Sequence, residues 1–202
     1  MNTSLFSIKS NSLKSNPLKS NPLKSAFLLA ALTLIIAACG RTTPTGPELE
    51  EVLPNVVTLT LNNAQGNATA TWRSTSDTKG MATRIDTLIL VAGRTYTGSI
   101  TAVNDTKTPT VDLTSEYKKL GNEHQFFYTI SGDAQSRLTF TITDKDSNNL
   151  PLGLQFNAAV SAGAAARGTL NVVLAHYDDV KKDGKTRSNE SDIDINFPVV
   201  IR

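Results

Sequence analysis

The sequence predicts an all-β fold, an antiparallel immunoglobulin-like β-sandwich of about nine strands with one short helix, over residues 55–202. Three observations carry this expectation. Apolar residues recur at every second position through nearly the whole stretch, the period of a strand with one buried and one wet face. Turn chemistry interrupts that alternation at Asn62-Asn63-Ala64-Gln65-Gly66, Ser131-Gly132-Asp133, Asn148-Asn149-Leu150-Pro151 and Lys182-Asp183-Gly184. The 148 residues make one ordinary domain, of a size that buries roughly 68–70% of its unfolded surface without a disulfide.

The elements follow in order. Val57, Leu59 and Leu61 share a face opposite Val56, Thr58 and Thr60, and Ala68, Ala70 and Trp72 oppose Thr69, Thr71 and Arg73. Ile85 to Val91 is more continuously apolar and reads as one strand covered on both faces. Thr95 to Val103 comes next. A short helix is expected at Leu113–Leu120, with Asp112 or Thr114 as N-cap and Gly121 as its stop. Then come Phe126/Tyr128/Ile130, Leu138/Phe140/Ile142, Leu154/Phe156/Ala158 and Leu170/Val172/Leu174. The cleanest alternation is the last: Ile193, Ile195, Phe197, Val199 and Ile201 against an outer face of Asp192, Asp194 and Asn196.

Leu90-Val91-Ala92-Gly93-Arg94-Thr95-Tyr96-Thr97 resembles the tyrosine corner of fibronectin type III and related immunoglobulin-like domains. The resemblance implies that Leu90 plugs the core and that the Tyr96 hydroxyl bonds back to an intersheet crossover. Trp72 resembles the tryptophan of an early strand in the same fold. Only 23 residues separate Trp72 from Tyr96, fewer than those domains place there, so the likeness is to an immunoglobulin-like sandwich in general.

Ahead of the domain, Ile36-Ala37-Ala38-Cys39 looks like a bacterial lipobox, and Cys39 is the chain's single cysteine. Residues 1–25 hold Lys9, Lys14, Lys19 and Lys24 and no carboxylate. Ala26 to Ala38 is an uncharged run of 13 residues, signal-like and too short to span a membrane. The expectation is a lipoprotein signal peptide over 1–38, lipidation at Cys39 and a membrane held through that anchor. A single exported cysteine has no disulfide partner, which fits a modified sulfur. Gly40-Arg41-Thr42 lacks an acidic run resembling a surface-export signal, which points to the periplasmic side of the outer membrane. Three near-copies of a five-residue unit, from Ser12 to Ser25, lie within the part expected to be cleaved. Residues 39–54, with Pro44, Pro47 and Pro54, read as a tether, extended at about 3 Å per residue.

Cleavage also reverses the charge. The chain has 20 Lys+Arg and 18 Asp+Glu, and loss of four lysines leaves 16 against 18. The mature domain is slightly acidic and has no basic stripe with interleaved aromatics, so nucleic acid is not an expected partner.

Three further stretches are Gly121-Asn-Glu-His-Gln-Phe-Phe-Tyr128, Thr143-Asp-Lys-Asp-Ser-Asn-Asn-Leu-Pro-Leu-Gly-Leu154 and Asp192-Ile-Asp-Ile-Asn-Phe-Pro198. Together with Thr95-Tyr96-Thr97-Gly98-Ser99-Ile100 they resemble a group of small lipoproteins from Bacteroidetes, often labelled as having a type 1 periplasmic binding fold. The resemblance spans most of residues 55–202 and implies an envelope location without a particular activity. The label names a two-lobed α/β fold, whereas this short, strand-rich stretch reads as a sandwich.

Catalytic motifs are missing: no Gly-x-Ser-x-Gly elbow, no phosphate-cradling glycine loop, no His-Glu-x-x-His and no free cysteine nucleophile. The sequence therefore predicts no enzyme. Its two histidines are placed suggestively. His124 has the parity of Phe126, Tyr128 and Ile130, and His176 that of Leu170, Val172 and Leu174. Both sit on the apolar face, one opening a strand and the other closing one. Were the two strands antiparallel neighbours, the imidazoles would meet at one end of the sandwich. With Glu123 and Asp178 (and Asp179) close in sequence, a site for Zn or another divalent metal is chemically reasonable. End-of-strand histidines bonded to loop backbone are the alternative.

Asp144-Lys-Asp146-Ser-Asn148 has the alternating oxygens with which calcium loops begin, but Asn149 stands where such a loop needs glycine and Gln155 where it needs a bidentate glutamate. A hairpin loop with Asx-turns accounts for the same residues. The functional expectation is a lipid-anchored, non-enzymatic envelope sandwich with a binding or structural role, partnered by the membrane and an envelope protein. The alternatives are a metal-binding accessory to outer-membrane metal uptake and an enzyme acting on envelope polymers.

Overall fold

The computed structural model describes residues 52–178 and 180–202. Cys39, the signal peptide expected over 1–38, the expected tether up to residue 51, and Asp179 lie outside the described residues. Among the described residues, eleven strands and one α-helix follow one another: β1 (Val56–Asn62), β2 (Ala68–Ser74), β3 (Ala82–Ile85), β4 (Leu88–Leu90), β5 (Thr95–Asn104), β6 (Val111–Asp112), α1 (Leu113–Lys119), β7 (His124–Gly132), β8 (Leu138–Ile142), β9 (Gln155–Val160), β10 (Ala166–His176) and β11 (Glu190–Ile201). They form two sheets. The larger runs β3-β2-β1-β5-β9-β8, with β6 added beside β5, and the smaller runs β4-β11-β10-β7. The fold is an all-β sandwich.

Alternation produces this arrangement directly. Along β5 burial switches at every residue, with Tyr96, Gly98, Ile100 and Ala102 inside, and β11 behaves likewise from Ile193 to Val199. The inward faces of both sheets merge into one core that includes Leu59, Trp72, Phe126, Phe156, Leu174 and Phe197. Each large apolar side chain there contributes about 1.5–3 kcal/mol by leaving water.

Three expectations need correction. Ile85 to Val91 is not one doubly covered strand. It divides into β3 and β4, which belong to different sheets. The Asp86 side chain accepts from the Thr71 N–H at 3.1 Å, ending the first piece, and the chain then crosses the sandwich. In β4 only Leu88 and Leu90 are buried, while Ile89 faces out. With β6, this division accounts for eleven strands where about nine were expected. The sheets are also not wholly antiparallel, because β4 pairs parallel with β11. The fold begins before residue 55 as well: Leu53 is buried, and its carbonyl accepts from Asn104 Nδ2 at 2.6 Å.

At the crossover from β4 to β5, Leu90 is fully buried and the Tyr96 hydroxyl accepts from the Val91 N–H at 3.1 Å. This is tyrosine-corner geometry, and it ties β4 of the smaller sheet to β5 of the larger. The helix starts where expected. Asp112 caps it by accepting from the Thr114 N–H, and Thr114 Oγ1 both accepts from the Ala102 N–H and donates to the Ala102 carbonyl. The start of α1 is thereby fixed against β5, which sets the position of the turn leading into His124.

Candidate metal centre

Strands β7 and β10 are antiparallel neighbours, and His124 and His176 are direct cross-strand partners. Their rings stack with centroids 4.5 Å apart and planes 20° from parallel. The meeting of the two imidazoles at one end of the sandwich follows from parity and this register together.

The third member of the group is Asp192. Strand β11 pairs Leu174 with Ile193 but Ala175 with Ser191, so Asp192 is an extra residue at a β-bulge. Bulges re-aim side chains, and this one turns a residue of the expected outer face inward, where it is buried beside Ile193. The Thr78 hydroxyl donates to the Asp192 carbonyl and holds the bulge from a loop of the opposite sheet. Asp192 Oδ2 lies 3.1 Å from His124 Nε2, and Oδ1 lies 3.2 Å from His176 Nδ1. A tetrahedral ion with bonds of about 2.0–2.1 Å sets its donors about 3.3 Å apart. Each imidazole therefore stands close to ligand spacing from a carboxylate oxygen, and one donor atom from each of the three residues lies within 4.8 Å of the other two.

The other ring nitrogens are oriented by hydrogen bonds. His124 Nδ1 lies 3.0 Å from the Leu120 carbonyl at the end of α1. A carbonyl only accepts, so Nδ1 carries the proton and Nε2 is left for Asp192 or an ion. His176 Nε2 lies 2.7 Å from Asp178 Oδ1. Both rings thus have the outer partner that ligating histidines use to fix their orientation. Burial draws the His124 pKa down. The hydrogen bonds to Asp192 and the Leu120 carbonyl, with the charges of Asp192 and Glu123, outweigh it and hold the pKa above the usual histidine value. The surroundings of His124 therefore favour its protonated, positively charged form.

The expected ligands His124, His176, Glu123 and Asp178 fall into two trios. His124, His176 and Asp192 offer donor atoms within 4.8 Å of one another, and so do Glu123, His176 and Asp178. Sequence reasoning missed Asp192, because alternation places it outside and no local residue signals the bulge.

The Asp144-to-Asn148 loop is the hairpin turn expected as the alternative to a calcium loop, with an Asx-turn at Asp146. Its carboxylate oxygens are taken up by partners within the chain. Asp144 Oδ1 and Oδ2 accept from the Gly153 and Leu154 N–H groups, and Asp146 Oδ1 accepts from the Asn148 and Leu150 N–H groups. The positive charge at Asp146 comes from the chain itself. Lys182 Nζ donates to Asp146 Oδ2, to the Gly121 carbonyl and to the His124 carbonyl, each at 2.8 Å. The loop is a turn closed by its own side chains. Trp72, buried on β2, belongs to the core.

Beyond His176 the surface falls into a cleft of about 510 Å³, lined by His176, Tyr177, Asp178, Val180, Arg187 and Glu190 among others. His124 and Asp192 are buried, and His176 is the one member of the inner trio that lines the cleft. Comparison with protein-family models, curated proteins and solved structures finds no match for this chain.

Proposed function

We propose that this protein is a lipid-anchored, non-enzymatic sandwich of the bacterial envelope that binds a divalent transition metal, zinc foremost, at His124, His176 and Asp192. One observation carries the reading: a buried carboxylate, turned inward by a bulge, lies within reach of two facing imidazoles whose remaining nitrogens are already oriented. Nitrogen and oxygen donors in this number suit Zn²⁺ and its neighbours better than calcium. The lipobox-like Ile36-Ala37-Ala38-Cys39 and the resemblance to small Bacteroidetes lipoproteins support the anchor and an outer-membrane, periplasm-facing address. An envelope protein that takes up or distributes metal is the partner this role suits.

The test is thermal and chemical denaturation of the full chain, purified in detergent, with and without Zn²⁺. At a hundredfold excess over Kd the ion should stabilise the fold by about 2.7 kcal/mol. His124→Ala, His176→Ala and Asp192→Asn should each remove most of that gain, and pairs of them little more, because residues of one site do not act additively. An unchanged midpoint at millimolar Zn²⁺ sinks the metal reading. Loss of palmitate labelling in Cys39→Ala is the separate test of the anchor.

A further inference from the structure

We propose that Glu123, His176 and Asp178 form an outer subsite for the same divalent ion, and that His176 passes the ion between this subsite and the inner one. The inference rests on the metal reading above. Its geometric basis is that the two nitrogens of one ring face two different carboxylates: Nδ1 is 3.2 Å from Asp192 and Nε2 is 2.7 Å from Asp178. Each trio brings its donor atoms within 4.8 Å of one another, and His176 is common to both.

Exposure rises in order along this path. The His124 and Asp192 side chains are 4% and 6% exposed, His176 is 17% exposed and Asp178 is 55% exposed. Glu123 is exposed, and the cleft of about 510 Å³ begins at His176 and Asp178. Among the described residues, the only group of three such donors that adjoins the inner trio is this outer one. The outer trio is where a chelating ligand from solvent reaches the ion first.

A neutral imidazole has one nitrogen with a free lone pair and one N–H. When Nδ1 binds the inner ion, the proton is on Nε2 and donates to Asp178. When Nε2 binds the outer ion, the proton is on Nδ1 and donates to Asp192. As the ion leaves Nδ1 for Nε2, the Nε2 proton passes by way of Asp178 to water and Nδ1 takes a proton from water, so the ring stays neutral and the proton count is unchanged. The two subsites then fill in turn, and the chain holds one ion.

The experiment uses the full chain in detergent, with Zn²⁺ as the ion and a chromogenic chelator as the acceptor. Equilibrium dialysis should give one Zn²⁺ per chain. Stopped-flow loading and release should both slow roughly tenfold in Glu123→Gln and in Glu123→Gln/Asp178→Asn, the size of effect that loss of a partner around a metal has. In Glu123→Gln, Kd should stay near the wild-type value, because a way-station changes both rates together, whereas the double variant should also bind more weakly, because Asp178 orients the His176 ring. Circular dichroism checks that these surface variants keep the fold. Unchanged rates overturn the subsite, as does faster release with unchanged loading, which would make Asp178 a positioning partner of His176 only. Two ions per chain overturn the alternating use of His176. A wild-type chain that binds no Zn²⁺ removes the metal reading itself, and this inference with it.

Discussion

Lys182 and Asp146 form an ion pair at 2.8 Å with side chains that are 2% and 0% exposed. The ammonium also reaches the carbonyls of Gly121 and His124, so all three of its donors are used. A buried pair is weak evidence for stability as such, but breaking one partner leaves a charge without compensation. Lys182→Met should therefore destabilise the fold by about 3–5 kcal/mol. Urea denaturation measures this, and a loss under about 1 kcal/mol, the size of a surface pair, contradicts the assignment.

The tyrosine corner gives a milder expectation. Tyr96→Phe keeps the ring in the core but removes the acceptor of the Val91 N–H. The cost should be about 0.5–1.5 kcal/mol, the net contribution of one part-buried hydrogen bond. A midpoint equal to wild type would show that water replaces the hydroxyl.

Gly98 lies opposite Phe156 on the neighbouring strand, and a Cβ there would come within 2.1 Å of the ring. Gly98→Ala should cost about 1–3 kcal/mol through overpacking. Calorimetry decides it, and an unshifted melting temperature would mean that the Phe156 ring moves aside freely.

The pH dependence follows from His124. Its folded pKa is raised above the unfolded value of about 6.5. Its contribution to stability is thus fully present below about pH 6.5 and is lost as pH rises through the folded pKa. Metal binding has the opposite slope, since the imidazole must lose its proton to bind. The metal-free protein should lose stability from about pH 6.5 upward, while Zn²⁺ affinity rises over the same range. Melting curves across that range should lose the first slope in His124→Gln; a slope that persists there assigns it to another group.

Much of this is legible in the chain. Period-two alternation locates the strands, and parity puts both histidines on the inner face. Their direct pairing needs the register of β7 on β10, which no local pattern encodes. The bulge at Asp192 is hidden for the same reason: it is a property of β11 against β10, and alternation alone assigns that aspartate to the wet face. The division at Asp86 is obscured because a crossover between sheets keeps an apolar pattern on both sides. Lys182 is invisible as the cation of the Asp146 loop, because 36 residues separate the partners.

The last strand of the sandwich is not an edge. β11 lies between β4 and β10, and beyond it the Arg202 N–H donates to the Leu90 carbonyl while the Ala92 N–H donates to the Arg202 carbonyl. Until residues 190–202 are available, the smaller sheet has no middle: β4 has no partner in it, and β10 has β7 alone. Assembly of that half is therefore gated by a stretch that emerges after all the other strands. A chain threaded through a translocation pore N-terminus first would have ten strands on the far side and still an unfinished core.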